Sequence, residues 1–230
     1  MRARIAVLAS GSGTNLQAIF DHFARLAERR SGDVVLVASD RPSAGALERA
    51  RQRNVAAATV GTRPAEGSTL RELLETHRVD IIALAGYLKL VPEDVVREYE
   101  RRIVNIHPAL LPAFGGPGMY GHHVHQAVLD AGVSVSGATV HFVDEQYDRG
   151  RIISQWPVPV LAGDDVTSLA ARVLRVEHLL YPRVLDQLAG GRITLSSCAF
   201  SSSAGEQAAF LMGSRDDACL AETIDLALGR

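Results

Sequence analysis

Cysteine is nearly absent: Cys198 and Cys219 are the only two in 230 residues, and both fall late in the chain. That excludes a disulfide framework and suits a reducing compartment. Long apolar runs are missing too. Ile5 to Ala9, flanked by Arg2 and Arg4, is too short for a signal segment, and nothing approaches a membrane span, so a cytoplasmic chain with no membrane partner is expected. Aromatic residues make up only 5%, which leaves the core to Val, Leu, Ile and Ala. Neither sign of charge dominates, since 24 basic and 26 acidic residues give a formal charge of −2. Without a basic field no nucleic-acid partner is expected, and any phosphate bound belongs to a small molecule. What the chain does have is 47% hydrophobic content, enough for one substantial core in one compact domain followed by a tail.

The apolar segments alternate in kind. Ile5–Ala9 reads as a strand buried on both faces, and it stops at Ser10-Gly11-Ser12-Gly13-Thr14-Asn15. From Leu16 the spacing becomes helical through Ile19, Phe20, Phe23 and Leu26. Strands are expected again at Val34–Ser39, near Ala57–Val60, at Val79–Gly86 and at Ile103–Ile106, with helices over Ala44–Arg53 and around Leu70, Leu73 and Leu74 between them. This predicts an α/β fold, a doubly wound, mostly parallel sheet of Rossmann-like kind with its ligand site at the carboxyl ends of the strands. Further on, Val135–Val143 and Arg151–Val160 are joined by a turn too short for a crossover helix, so they pair antiparallel in the C-terminal half. Asp165 or Thr167 opens a long helix carrying Glu177 and His178, and a last strand is expected at Arg192–Leu195, a Ser-rich linker at 196–203 and a helix over Ala218–Leu228.

Polar side chains gather at the strand ends. The glycine-rich turn before the first helix offers free N–H groups and a positive dipole end to an anion. It is no Walker loop, because no Gly-Lys-Ser/Thr follows, and Leu16 occupies the third glycine of a dinucleotide fingerprint. A nicotinamide-dinucleotide site stays open nonetheless, since Asp40 ends the second strand where a ribose-binding acid would sit. Asn105 and His107 share one face of the fifth strand, and Asp144 follows the sixth. An amide donor, an imidazole and a carboxylate are the parts that formyl or acyl transfer to an amine needs. Each, taken singly, is equally a turn residue. His122, His123 and His125 open a helix expected near His122–Asp130 and invite a metal, but no carboxylate or cysteine stands at ligand spacing within that helix, and no metal is expected.

Taken together, the segments Ala9–Ala18, Leu84–Leu88, Asn105–Pro112 and Val140–Asp144 resemble the phosphoribosylglycinamide formyltransferases. The likeness runs in order over about residues 3–195. It implies a single formyltransferase domain at 1–195, its N-terminal half binding the phosphate of a ribonucleotide and its C-terminal half holding the folate and the chemistry, with 196–230 a tail of unassigned role. It also implies small-molecule substrates, 10-formyltetrahydrofolate as co-substrate without a metal, a place in purine biosynthesis, and a monomer or homodimer. A formyltetrahydrofolate hydrolase of the same fold is the nearest alternative.

Carried over by that resemblance, Asn105, His107 and Asp144 are the catalytic set, and Gly11, Ser12, Gly13, Thr14 and Asn15 form the phosphate turn. Leu88, Lys89, Leu90, Val91, Val140 and Val143 line the pterin pocket, Arg63 lies near the folate and Glu177 binds the ribose. On this reading a protonated His107 and the Asn105 amide face the charge developing on the formyl oxygen, with Asp144 beside the imidazole. Two departures from the family pattern touch the site: the Phe114–His125 loop is long, and Arg151 stands where proline is frequent.

Overall fold

The computed structural model describes residues 1–61 and 69–193. Arg63, the second half of the expected strand at 192–195, the linker and the helix at 218–228 lie outside the described residues. A seven-stranded sheet runs in the order β3-β2-β1-β4-β5-β6-β7. Its strands are β1 (Ala3–Leu8), β2 (Gly32–Ser39), β3 (Ala56–Thr59), β4 (Ile81–Leu84), β5 (Ile103–His107), β6 (Val135–Phe142) and β7 (Ile152–Pro159). The first five are mutually parallel, whereas β6 pairs antiparallel with β5, and β7 with β6. The helices are α1 (Thr14–Leu26), α2 (Gly45–Gln52), α3 (Leu70–Thr76), α4 (Glu93–Glu98), α5 (His122–Asp130) and α6 (Val166–Ala189).

Strand alternation divides the core in two. Ile5, Val7, Val37, Ala83, Val104, Ile106, Val140 and Phe142 face α1, α2 and α6 on one side of the sheet. Ala6, Leu8, Leu36, Ile82, Leu84 and Ile103 face α3 and α4 on the other. Helix α6 inserts Leu169, Val173, Val176, Leu180 and Val184 into the first layer, each burial worth roughly 1.5–3 kcal/mol. Asp165 starts α6 through a capping box: its carboxylate accepts the Ser168 N–H at 2.7 Å while the Ser168 hydroxyl accepts the Asp165 N–H at 3.0 Å. The Tyr181 hydroxyl of α6, fully buried, lies 2.9 Å and 3.0 Å from the Leu84 and Val104 carbonyls. It ties the helix to β4 and β5 just below their carboxyl ends.

Arg192 and Ile193 adopt no strand conformation. Helix α4 has no counterpart in the sequence pattern, because six residues show too little periodicity to register. The site sits where the strand order reverses, between β1 and β4 and onward to β5 and β6, at the carboxyl edge of the parallel strands.

Candidate active site

Antiparallel pairing of β5 with β6 sets Asn105 opposite His141 and His107 opposite Thr139. All four therefore point to the same face of the sheet, away from Val104, Ile106 and Val140. The His141 Nδ1–H donates to the Phe142 carbonyl at 2.8 Å. Its Nε2 lone pair is thus left to accept the Asn105 amide at 3.1 Å, and the second amide hydrogen remains for a ligand. Thr139 braces the loop beyond β5, donating to the Ala109 carbonyl at 2.6 Å and accepting the Leu111 N–H at 3.1 Å. Asn105, His107 and His141 line the floor of a cavity of about 470 Å³, within the usual size for small-molecule sites.

The carboxylate that meets the two imidazoles is Asp148, which corrects the expectation placed on Asp144. Asp148 Oδ2 lies 3.6 Å from His107 Nδ1, and Oδ1 lies 3.6 Å from His141 Nε2. Asp144 also borders the cavity, but its Oδ1 accepts the Gln146 N–H at 2.9 Å and so serves the turn. The turn folds back because Gly150 packs onto β6: a Cβ there would come within 1.8 Å of the Phe142 carbonyl oxygen. Asp148 itself sits at φ 53°, a left-handed conformation that costs a non-glycine residue energy and clusters at functional sites.

Burial is the largest influence on both members of the pair. It holds His107 below the usual histidine value, although the Asp148 charge and the Phe114 carbonyl pull upward, and His141 adds to the lowering. Burial pushes Asp148 up, but the His141 and His107 imidazoles beside it and the Gly116 N–H at 2.9 Å outweigh it and leave the carboxyl below its usual value. Both shifts favour an ionised carboxyl beside an imidazole that resists protonation, whereas the resemblance implies a protonated His107. The ring's Nε2–H donates to the Phe114 carbonyl at 2.8 Å. His125, also bordering the cavity, is 5% exposed, and burial first, then His122 and His107, bring it down to about 4.

At the other end of the cavity, the Asn15 amide donates to the buried Glu177 carboxylate at 2.7 Å. Burial raises the Glu177 pKa and the Asn15 bond opposes it. Gly13 caps α1 at φ 76°, and a Cβ there would lie 2.8 Å from the Ala46 Cα, so the turn admits no side chain. Of the glycine-rich turn only Asn15 borders the main cavity. Gly11 and Ser12 are exposed at the rim of the turn, and Thr14 borders a separate cleft with Arg25, Arg49 and His178.

Leu88, Lys89, Leu90, Val91 and Val143 form one wall of the main cavity. Val140 does not join them. It is fully buried in the core on the opposite face of β6, as strand alternation requires once His141 faces the site. Asp40 is unavailable to a ribose, because its carboxylate, 4% exposed, accepts the Ser10 hydroxyl. Among the described residues no group of three or more His, Cys, Asp or Glu side chains could hold a metal ion. Nor is any helix among them long and apolar enough to cross a membrane.

The family profile described as formyl transferase matches residues 3–185. The chain is 45% identical over 197 residues to the chloroplastic phosphoribosylglycinamide formyltransferase of Vigna unguiculata, a match covering 84% of this chain and 62% of that protein. The chain thus spans less than two thirds of that relative's length. It is 38% identical to the phosphoribosylglycinamide formyltransferase of Escherichia coli, over 92% of this chain and 94% of the other. Its fold superimposes on the crystal structure of glycinamide ribonucleotide transformylase 1 from Symbiobacterium toebii with a TM-score of 0.74 at 44% identity, over 84% and 90% of the two chains.

Proposed function

The chain belongs to the formyl transferase family, and from that membership we propose that it transfers a formyl group from 10-formyltetrahydrofolate to the amine of glycinamide ribonucleotide, a step of purine biosynthesis. The observation that carries this reading is the meeting of Asn105, His107 and Asp148 at the floor of a cavity whose far end holds Asn15 and Glu177. The N–H groups at the start of α1 take the ribonucleotide's phosphate, and Glu177, one oxygen held by Asn15, accepts from the ribose hydroxyls. Segment 88–91 and Val143 offer a largely apolar wall to the pterin. A concave site with few, convergent polar groups fits a flat heteroaromatic co-substrate.

As the amine attacks the formyl carbon, negative charge develops on the formyl oxygen. The second Asn105 amide hydrogen meets it, and the His107 Nε2–H exchanges the Phe114 carbonyl for the same oxygen. Loss of one such donor costs about 3 kcal/mol of transition-state stabilisation. Forming the new C–N bond makes the amine cationic; Asp148, ionised and beside His107, takes its proton. The proton taken by Asp148 passes to N10 as its bond to the formyl carbon breaks, so the exchange balances and Asp148 is ionised again, with no nucleophilic side chain.

The test is product formation from 10-formyl folate with and without glycinamide ribonucleotide. Formylated ribonucleotide, formed only when both are present and lost in Asn105→Ala, is expected. Formate released at equal rate without the ribonucleotide would make the chain a hydrolase instead.

A further inference from the structure

Ser10 follows β1 and opens the glycine-rich turn, yet its side chain faces another part of the site. Its N–H donates to the Gly86 carbonyl at 3.0 Å. Its hydroxyl donates to the Asp40 carboxylate and accepts the Leu88 N–H at 2.9 Å. Ser10 is 3% exposed and the Asp40 side chain 4%, so neither bond competes with bulk water.

The order of donors follows from chemistry. A hydroxyl has a single hydrogen, and a carboxylate can only accept, so the hydrogen is committed to Asp40 and a lone pair is turned toward Leu88. A bond to a charged acceptor is about twice as strong as a neutral one. Residues 86–91 run from β4 toward α4 without regular structure, and Gly86 stands at φ 74°. Burial first and then the Asp40 charge push the neighbouring Tyr87 phenol up to about 12, which sets that charge against the same segment.

We infer that Ser10 and Asp40 are positioning residues for the formyl-donor wall: together they hold segment 86–91 in register with the turn that receives the ribonucleotide. This rests on the formyl-transfer reading above. Neither side chain lines the cavity. The pair acts through the Leu88 backbone, so the donor side of the site feels its loss first.

Steady-state kinetics, calorimetry with a non-reactive folate analogue and amide hydrogen exchange on the full chain test this. In Ser10→Ala the KM for the formyl donor and the Kd of the analogue should rise about 3- to 10-fold, the loss of one such bond. Values of kcat and of ribonucleotide affinity should stay within about twofold. Asp40→Asn, whose amide oxygen still accepts the Ser10 hydroxyl through a weaker, neutral bond, should fall between the unaltered chain and Ser10→Ala, whereas Asp40→Leu should reproduce Ser10→Ala. An unchanged donor KM in Ser10→Ala, or a ribonucleotide affinity that falls as far as the donor's, overturns the assignment. If the unaltered chain binds no folate analogue, the formyl-transfer reading fails. The positioning role is then decided by exchange at the Leu88 amide, faster in Ser10→Ala if the bond holds the segment and unchanged if it does not.

Discussion

At the scale of single residues, Asp148 and His107 make the sharpest predictions. Asp148→Asn preserves the left-handed backbone that asparagine tolerates and removes only the charge. Turnover should fall about 10²- to 10⁴-fold, while Asp144→Asn should stay within a few-fold in the same assay. Because the Asp148 charge pulls His107 upward, the imidazole should titrate below the usual histidine value in the unaltered chain and lower still in Asp148→Asn. NMR of the ring protons checks this, and a higher value in the variant would refute the pairing. Asn105 and His107 are legible in the sequence because an apolar strand fixes which neighbours share a face. Asp148 is not, because an irregular turn carries no such period; the cue available was Gly150, two positions on, whose backbone closes against β6. Val140 is misread for the opposite reason, since alternation alone would have put it in the core.

At the scale of elements, α6 carries two predictions. Tyr181→Phe removes the single donor that the buried Leu84 and Val104 carbonyls share and should cost about 1–3 kcal/mol in urea unfolding. Glu177 behaves in the reverse sense. Its folded pKa is raised by burial, so the charged form penalises folding once pH exceeds the unfolded value, and the penalty is absent below it. Glu177→Gln should therefore raise the melting temperature at neutral pH, converge with the unaltered chain in acid, and weaken ribonucleotide binding. The Asp164–Arg172 pair before and within α6 acts oppositely: its hydrogen bonds hold the Asp164 carboxyl well below the usual range. It stabilises the fold above the unfolded carboxylate value and is lost only as pH falls through the depressed one. The start of α6 is readable from Asp165 and the apolar period; α4 is not, since packing of Val95, Val96 and Tyr99 stabilises a helix too short to signal itself.

At the scale of the whole molecule, the parallel half and the antiparallel pair are both legible, the first from helices alternating with strands and the second from a connection too short for a crossover. The pairing of β4 with β1 is the part that local patterns leave open, and it is what brings the 86–91 wall beside the turn after β1. Asn15 and Glu177 join across 162 positions of sequence, a bond spanning from the first helix to the sixth. On the ribosome, the seat proposed for the ribonucleotide therefore completes only after α6 has emerged. A fragment ending before residue 166 should bind neither substrate, and nascent chains stalled short of that point should draw no protection from them in limited proteolysis.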